Sequence, residues 1–141
     1  FLHLLTNKEA EECFHCVREH LSDGGRFILD IVHPHPSFLF KSEKQPVLVM
    51  DFKDASHDDI VEIYESCTYN SETEICDIVW EYRYQKLAQH NKRFEYQMRM
   101  YYPDTINRLL IDAGFHIRDV YGDYDMNPFS EESHLQIYVS Q

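Results

Sequence analysis

The order of elements around one glycine pair restricts this chain more than any other feature. Thr6-Asn7-Lys8-Glu9 places a hydroxyl three residues before a carboxylate, the pattern that closes a helix N-terminus by reciprocal side chain–backbone bonds. Behind it Ala10, Cys13, Phe14, Val17 and Leu21 recur at helical spacing, with Glu11, Glu12, Arg18 and Glu19 elsewhere. An amphipathic helix is therefore expected from Lys8 to Leu21, ended by Ser22-Asp23-Gly24-Gly25 because glycine readily takes the left-handed conformation of a helix C-terminus. Arg26 to Val32 reads as a strand. Phe27, Ile28, Leu29, Ile31 and Val32 alternate little, which predicts burial on both faces. A phosphate-cradling glycine loop needs the reverse order, strand then glycines then helix, so that helical N–H groups face the anion. These glycines lie at the wrong end of a helix and are structural.

From Gln45 to Tyr101 the texture changes. Val47 to Phe52, Ile60 to Tyr69, Glu74 to Tyr84 and Arg93 to Tyr102 are long, β-branched or aromatic, and partly alternating. In the last of these, Phe94, Tyr96, Met98 and Met100 share one face and Arg93, Glu95, Gln97 and Arg99 the other, as in half-buried antiparallel sheet. The segment YNSETE suggests a hairpin; a register with Tyr69 opposite Glu74 sets Cys67 opposite Cys76 and Ile63 opposite Trp80. Pro103 then opens a helix with Ile106, Leu109, Leu110 and Ala113 as its apolar stripe and Gly114 as its stop. A short strand over Phe115 to Tyr121, a loop over Gly122 to Glu132 and a last strand over His134 to Ser140 complete the chain.

Composition narrows the function. A formal charge of −12, with Lys and Arg scattered among acids, gives no footprint for a phosphate backbone, so nucleic acid is not an expected partner. No apolar run approaches the ~20 residues of a membrane-spanning helix, and no signal peptide is read at the start, so no membrane partner is expected either. Phe1 in place of Met raises the expectation that the chain begins inside a longer protein. The four cysteines lack the spacing of a secreted scaffold, which predicts reduced thiols in the cytoplasm. Cys13 and Cys16 spell C-x-x-C in mid-helix, away from the helix N-terminus that would activate a thiol, and are read as core packing.

Three segments together resemble the C-terminal part of a class I S-adenosylmethionine-dependent methyltransferase. FLHLLTNKEAEECFHCVREHLSDGGRFILDIVHP is similar to the segment after that family's fourth strand, through a helix into the fifth. PDTINRLLIDAGF resembles the helix before the sixth strand, and VYGDYDMNPFSEESHLQIYVSQ the loop and antiparallel seventh strand. The resemblance implies an α/β fold: a partial doubly wound, Rossmann-like sheet formed by residues 1–44 and 102–141. Residues 45–101 would be an inserted antiparallel β-sheet, acting as substrate lid or dimer surface. It also implies S-adenosylmethionine as cofactor, although the family's glycine-rich loop and ribose-binding acid have no counterpart here. The main cofactor motif is expected upstream of Phe1.

Ligands in doubly wound sheets sit beyond the carboxyl ends of the strands. The resemblance therefore places Phe1, Leu2 and His3 beside the cofactor and His33 and Pro34 beside the substrate. His3 is the candidate general base, imidazole being the side chain that changes charge near neutral pH; the alternative is that it only packs there. His33 and His35 have a spacing found in some metal sites, but two ligands do not make one, and no metal is expected. Tyr64, Trp80, Tyr82, Tyr84, Tyr96, Tyr101 and Tyr102 could line a pocket on the aromatic sheet, with Trp80, Tyr82 and Tyr101 the candidate substrate contacts; packing on the main sheet or a dimer interface is the competing role. Arg99 is a candidate partner for a substrate carboxylate, or for one of the chain's own acids. Tyr121, Asp123 and Tyr124 lie in a loop near the strand ends and are further substrate candidates. The expected function is methyl transfer to a small molecule, with this chain as the substrate-side portion and inactive by itself. The alternative is a non-enzymatic binding or homodimerisation module built on the aromatic sheet.

Overall fold

A computed structural model describes residues 1–39 and 45–141, with the Phe38 side chain left out. The chain divides into two compact units, one formed by Phe1–Pro36 with Arg99–Gln141 and the other by Ser37–Met98.

The first unit holds helix α1 (Asn7–His20), strand β1 (Phe27–Val32), helix α3 (Pro103–Asp112) and strands β6 (Ile117–Tyr121) and β7 (Leu135–Ser140). Its three strands run in the order β1-β7-β6, and β7 is antiparallel to both neighbours. Helices α1 and α3 supply Phe14, Ile106, Leu109 and Leu110 to a core completed by Leu29, Ile31, Tyr101 and Tyr138. The start of α1 is the expected capping box: the Thr6 hydroxyl accepts from the Glu9 N–H at 3.2 Å, and Glu9 Oε2 accepts from the Thr6 N–H at 2.9 Å. At the end of α3, Gly114 adopts φ +83°. That conformation lets its N–H donate to the Ile111 carbonyl and the Phe115 N–H to the Leu110 carbonyl, each at 2.9 Å.

Three expectations need correction here. Two concern β1 and its surroundings. The described strands contain no parallel pair, so the parallel doubly wound sheet is absent from these residues. β1 and β6 run in the same direction, but β7 reaches the sheet through the 122–134 loop and lies between them. Nor is β1 buried on both faces: Leu29 and Ile31 face the core, whereas Ile28 is 61% exposed. The third concerns the helix end. α1 stops at His20, with Leu21 extended at its C-cap. Gly24, at φ +73°, sits one turn later, inside a bend closed by Gly25 N–H donating to the Ser22 carbonyl at 2.8 Å.

The second unit is an antiparallel sheet in the order β2-β3-β4-β5. Its strands are β2 (Val47–Asp54), β3 (Asp59–Asn70), β4 (Ile75–Tyr84) and β5 (Lys92–Arg99), and the last residue of β5 already belongs to the first unit. A four-residue helix α2 (Pro36–Leu39) lies at the unit boundary, and a 3-10 turn over Ala88–His90 precedes β5. The β3–β4 register differs from the expected one by two residues. Asn70 pairs with Ile75, which puts Cys67 opposite Ile78 and Ile63 opposite Tyr82. The cause lies in the turn: Asn70 Oδ1 accepts from the Glu72 and Thr73 N–H groups, and Glu74 takes φ +60°, so the loop has four residues. A shift of two preserves the faces. The polar face carries Gln97 on Asp77 at 2.8 Å and Arg93 on Glu81 at 3.4 Å.

Candidate functional site

His33 and Pro34 leave the carboxyl end of β1 and line a cleft of about 570 Å³, within the first unit. That size suits a small ligand, whose sites commonly span ~300–1,000 Å³. Pro34, Pro36 and Pro103 stiffen the walls, Tyr102 and Phe129 contribute rings, and Asp104, Glu131 and Glu132 contribute carboxylates. No Lys or Arg is among the lining residues.

The backbone fixes the His33 ring. The His33 N–H donates to the His134 carbonyl at 2.9 Å, continuing the β1–β7 pairing by one residue. His33 Nδ1 lies 2.8 Å from the Ser133 carbonyl oxygen, which can only accept, so Nδ1 bears the proton. In the neutral ring Nε2 is then left with its lone pair. The side of the ring is closed by Phe129, edge-on at 5.0 Å between centroids, and His33 is only 8% exposed. Gly122 makes this arrangement sterically feasible, because a Cβ there would collide with the Ser133 hydroxyl. The buried Gln136 side chain donates to the Tyr101 carbonyl at 2.8 Å and reaches the Val32 carbonyl at 3.5 Å. It thereby ties together the residues that precede Tyr102 and His33. Tyr138 donates to Gln136 Oε1 at 3.2 Å; burial, then Asp104, pushes its phenol well above the ordinary range and keeps it a donor.

The other sequence candidates are dispersed. The Phe1 ring stacks on Phe14 at 4.9 Å and touches Tyr101 at 5.0 Å, so it packs against the core. Leu2 gives its carbonyl to the Arg99 N–H at 2.8 Å and is half-buried, and His3 is exposed on the same turn. Arg99 donates to Asn7 Oδ1 at 2.8 Å and lies over the Tyr101 ring at 4.7 Å. Tyr101 is fully buried and donates to the Leu4 carbonyl at 2.6 Å. Tyr121 closes β6 and bridges to Pro128. Asp123 accepts from Asn127 and Asp125, and the Asn127 side chain above all holds its carboxyl below the usual range. Tyr124 donates to Asp30 Oδ2 at 2.9 Å, a bond that raises its phenol.

Trp80 and Tyr82 belong to the second unit. There Trp80 Nε1 donates to the buried Glu65 at 2.7 Å, and the rings of Tyr96 and Phe94 lie edge-on to Trp80 and Tyr82. Burial, followed by Glu65, pushes Tyr96 up to about 12. Cys67 and Cys76 are buried free thiols, and the neighbouring Cys67 together with burial drives Cys76 upward, which keeps it protonated. Cys16 is exposed and Cys13 half-buried, so the core role expected for that pair applies to neither fully.

Of the aromatic pocket candidates named from the sequence, Tyr102 does line the cleft; sequence reasoning missed Asp104, Phe129, Glu131 and Glu132 as cleft residues, and Ser133 and Gln136 as its supports. Ser133 lies 100 positions from His33, and no local pattern announces such a pairing.

No protein-family model and no curated protein matches this chain. Solved structures do, and the class they define is the S-adenosylmethionine-dependent methyltransferase fold, of which this chain matches the C-terminal half. The CcbJ methyltransferase from Streptomyces caelestis superposes with a TM-score of 0.78 at 18% identity, over 99% of this chain and 56% of that one. An S-adenosylmethionine-dependent methyltransferase from Clostridium acetobutylicum gives 0.75 at 19% identity, over 99% and 53%. The sugar N-methyltransferase KedS8 from a Streptoalloteichus species gives 0.67 at 12% identity, over 98% and 51%. The chain thus spans about half the length of the structures it matches, and the likeness is one of fold.

The cofactor that this fold implies finds no cradle among the described residues. The first N–H groups of α1 are served by Thr6, α3 begins with proline, and no glycine stands between a strand and a following helix. These residues do not fit S-adenosylmethionine as a complete site.

Proposed function

We propose that this chain is the acceptor side of a small-molecule methyltransferase, and that the cleft beside His33 receives the acceptor. The observation that carries the reading is the coincidence of that cleft with the carboxyl end of β1, in a fold shared with methyltransferases over almost the whole chain. The cofactor cradle would be supplied by chain outside these residues, with Phe1, Leu2 and His3 bordering it as one wall. The task of this portion is to hold the acceptor in line and exclude water, which is where such a transfer gains most of its rate. His3, on an exposed turn, remains the proposed general base, and His33 and Pro34, which line the cleft, remain the proposed acceptor contacts. Arg99, Tyr121, Asp123 and Tyr124 are further candidates within the first unit, whereas Trp80 and Tyr82 belong to the second.

The test begins with the intact mass of the natural protein. A mass about twice the 16.9 kDa of this chain supports the reading, and S-adenosylmethionine titrated into that protein by calorimetry should then bind at one site. A mass equal to that of this chain, with no cofactor binding, removes it.

A second reading has its own observation. Val47, Leu48, Val49, Met50 and Phe52 are each 41–55% exposed along β2, an edge strand. Such an edge suits self-association, and in this reading the sheet serves a homodimer.

A further inference from the structure

We propose that His57 and His90, which two turns of the second unit bring together, bind a divalent transition-metal ion such as Zn2+. The inference is independent of the reading of the His33 cleft, because every residue it uses belongs to the second unit.

Backbone bonds place the two rings. His57 lies in the turn between β2 and β3, and His90 ends the 3-10 turn before β5. Asp59, buried at the foot of the first turn, accepts from the Lys86 N–H at 3.0 Å and the Leu87 N–H at 3.1 Å. At the far side of the second turn, Asn91 Oδ1 accepts from the Tyr84 N–H at 2.8 Å, and the His90 N–H donates to the Leu87 carbonyl at 2.8 Å. The turns are thus fixed to each other, with the ring centres of His57 and His90 4.7 Å apart and 51° between their planes. Zinc–imidazole bonds of about 2.0–2.1 Å at a tetrahedral angle set two ring centres about 5 Å apart, so this spacing suits a shared ion.

The second observation is how each imidazole is supported. His57 Nδ1 lies 2.7 Å from Asp54 Oδ2, a carboxylate oxygen that accepts, so in the neutral ring Nδ1 bears the proton and Nε2 keeps its lone pair. That carboxylate is itself held, by the Tyr84 hydroxyl at 3.2 Å and the Ser56 N–H at 2.8 Å. A carboxylate on the outer nitrogen is the common support of a metal-bound histidine, because it fixes tautomer and ring orientation together. The His90 imidazole makes only ring contacts, to His57 and Tyr84, among the described residues, so it can turn a nitrogen toward an ion without breaking a hydrogen bond. The His57 side chain is 39% exposed, which leaves the pair open to solvent ions. The cations of this corner do not block it: Lys53 pairs with the Asp58 carboxylate at 2.8 Å and Lys86 donates to the Asp58 carbonyl at 3.0 Å. Imidazole donors select Zn2+, Cu2+ or Ni2+ over Mg2+ and Ca2+. No cluster of three His, Cys, Asp or Glu ligands forms among the described residues, so water takes the remaining positions on the ion. An ion held there joins the β2–β3 turn to the turn before β5.

The experiment is histidine side-chain NMR on this chain, titrated with zinc chloride and, in parallel, with magnesium chloride. Zn2+ should shift the His57 and His90 ring signals along one shared, saturable binding curve, and Mg2+ should leave both in place. His90→Gln should abolish the response at His57. Asp54→Asn, which keeps the shape of the side chain and removes its charge, should weaken zinc binding about tenfold or more. Amide spectra unchanged outside the two turns verify that both variants are folded. No zinc shift at the pair, a shift at one ring only, an equal response to Mg2+, or a His57 response that survives His90→Gln overturns the inference. So does a zinc response confined to His35 and His134, whose ring centres stand 5.0 Å apart in the first unit.

Discussion

The two units use the same kind of strand differently. In the first, β1, β6 and β7 sit beside two helices, and the core residues Phe14, Tyr101 and Leu109 are fully buried. In the second, the central strands β3 and β4 bury Val61, Ile63, Cys76 and Ile78, while β2, with five large apolar side chains, is exposed along its length. Apolar pattern therefore reports what a strand can bury, and the neighbouring elements decide what it does bury. Ile28 makes the same point inside the first unit, being as apolar as Ile31 and facing outward.

The largest test of this contrast is Phe14→Ala. Phe14 is fully buried between Phe1, stacked at 4.9 Å, and Phe27, edge-on at 5.9 Å. Its truncation should cost ~3–5 kcal/mol of unfolding free energy, read by urea denaturation. A loss below ~1 kcal/mol would mean that the first unit has no better core than the second.

The second unit has its own fixed point in a buried carboxylate. Asp59 is 1% exposed and accepts from the backbone N–H groups of Ile60, Lys86 and Leu87. Burial, the largest influence, raises its carboxyl, but the three backbone donors together outweigh it and the net direction is downward from 3.8. The folded state thus prefers the ionised form. The stabilisation is complete above the ordinary carboxylate value and is lost as pH falls through the lowered one. Glu9 behaves alike in the first unit: bonds to Thr6 hold it below 4.5. The melting temperature should accordingly fall with pH below the ordinary carboxylate range in the parent. Asp59→Asn should melt lower at neutral pH and show a shallower acid slope. An unchanged slope would show that Asp59 does not organise the 85–88 turn.

These particulars mark how far the sequence could be read. The capping box, the α3 stripe and the two faces of β5 depend on neighbours within a few residues, and they were legible. So was the likeness to a methyltransferase C-terminal half, which rests on the order of several such segments. The β3–β4 register was not, because it hinges on the Asn70 carboxamide choosing a four-residue loop. The cleft was half legible: His33 and Pro34 follow from strand polarity, whereas Ser133, Phe129 and Gln136 come from β7 and its loop, about 100 positions away. The exposure of β2 was not legible either, since nothing in Val47–Phe52 distinguishes a covered strand from an open one.

The smallest expected effect is also the one that decides what β2 is for. Met50 pairs with Ile63, beside the irregularity in the β2–β3 register, and is 55% exposed. Met50→Thr keeps a good strand former there while removing an apolar side chain, so as an open edge it should change stability by no more than ~0.5 kcal/mol. Denaturation at two protein concentrations, with sedimentation alongside, provides the measurement. A monomer with a small, concentration-independent change keeps the contrast between a covered first unit and an open second one. A larger loss, growing with concentration and accompanied by the parent sedimenting as a dimer, would break it. The five apolar residues of β2 would then be interior after all, covered by a second copy, and the two units would follow one rule.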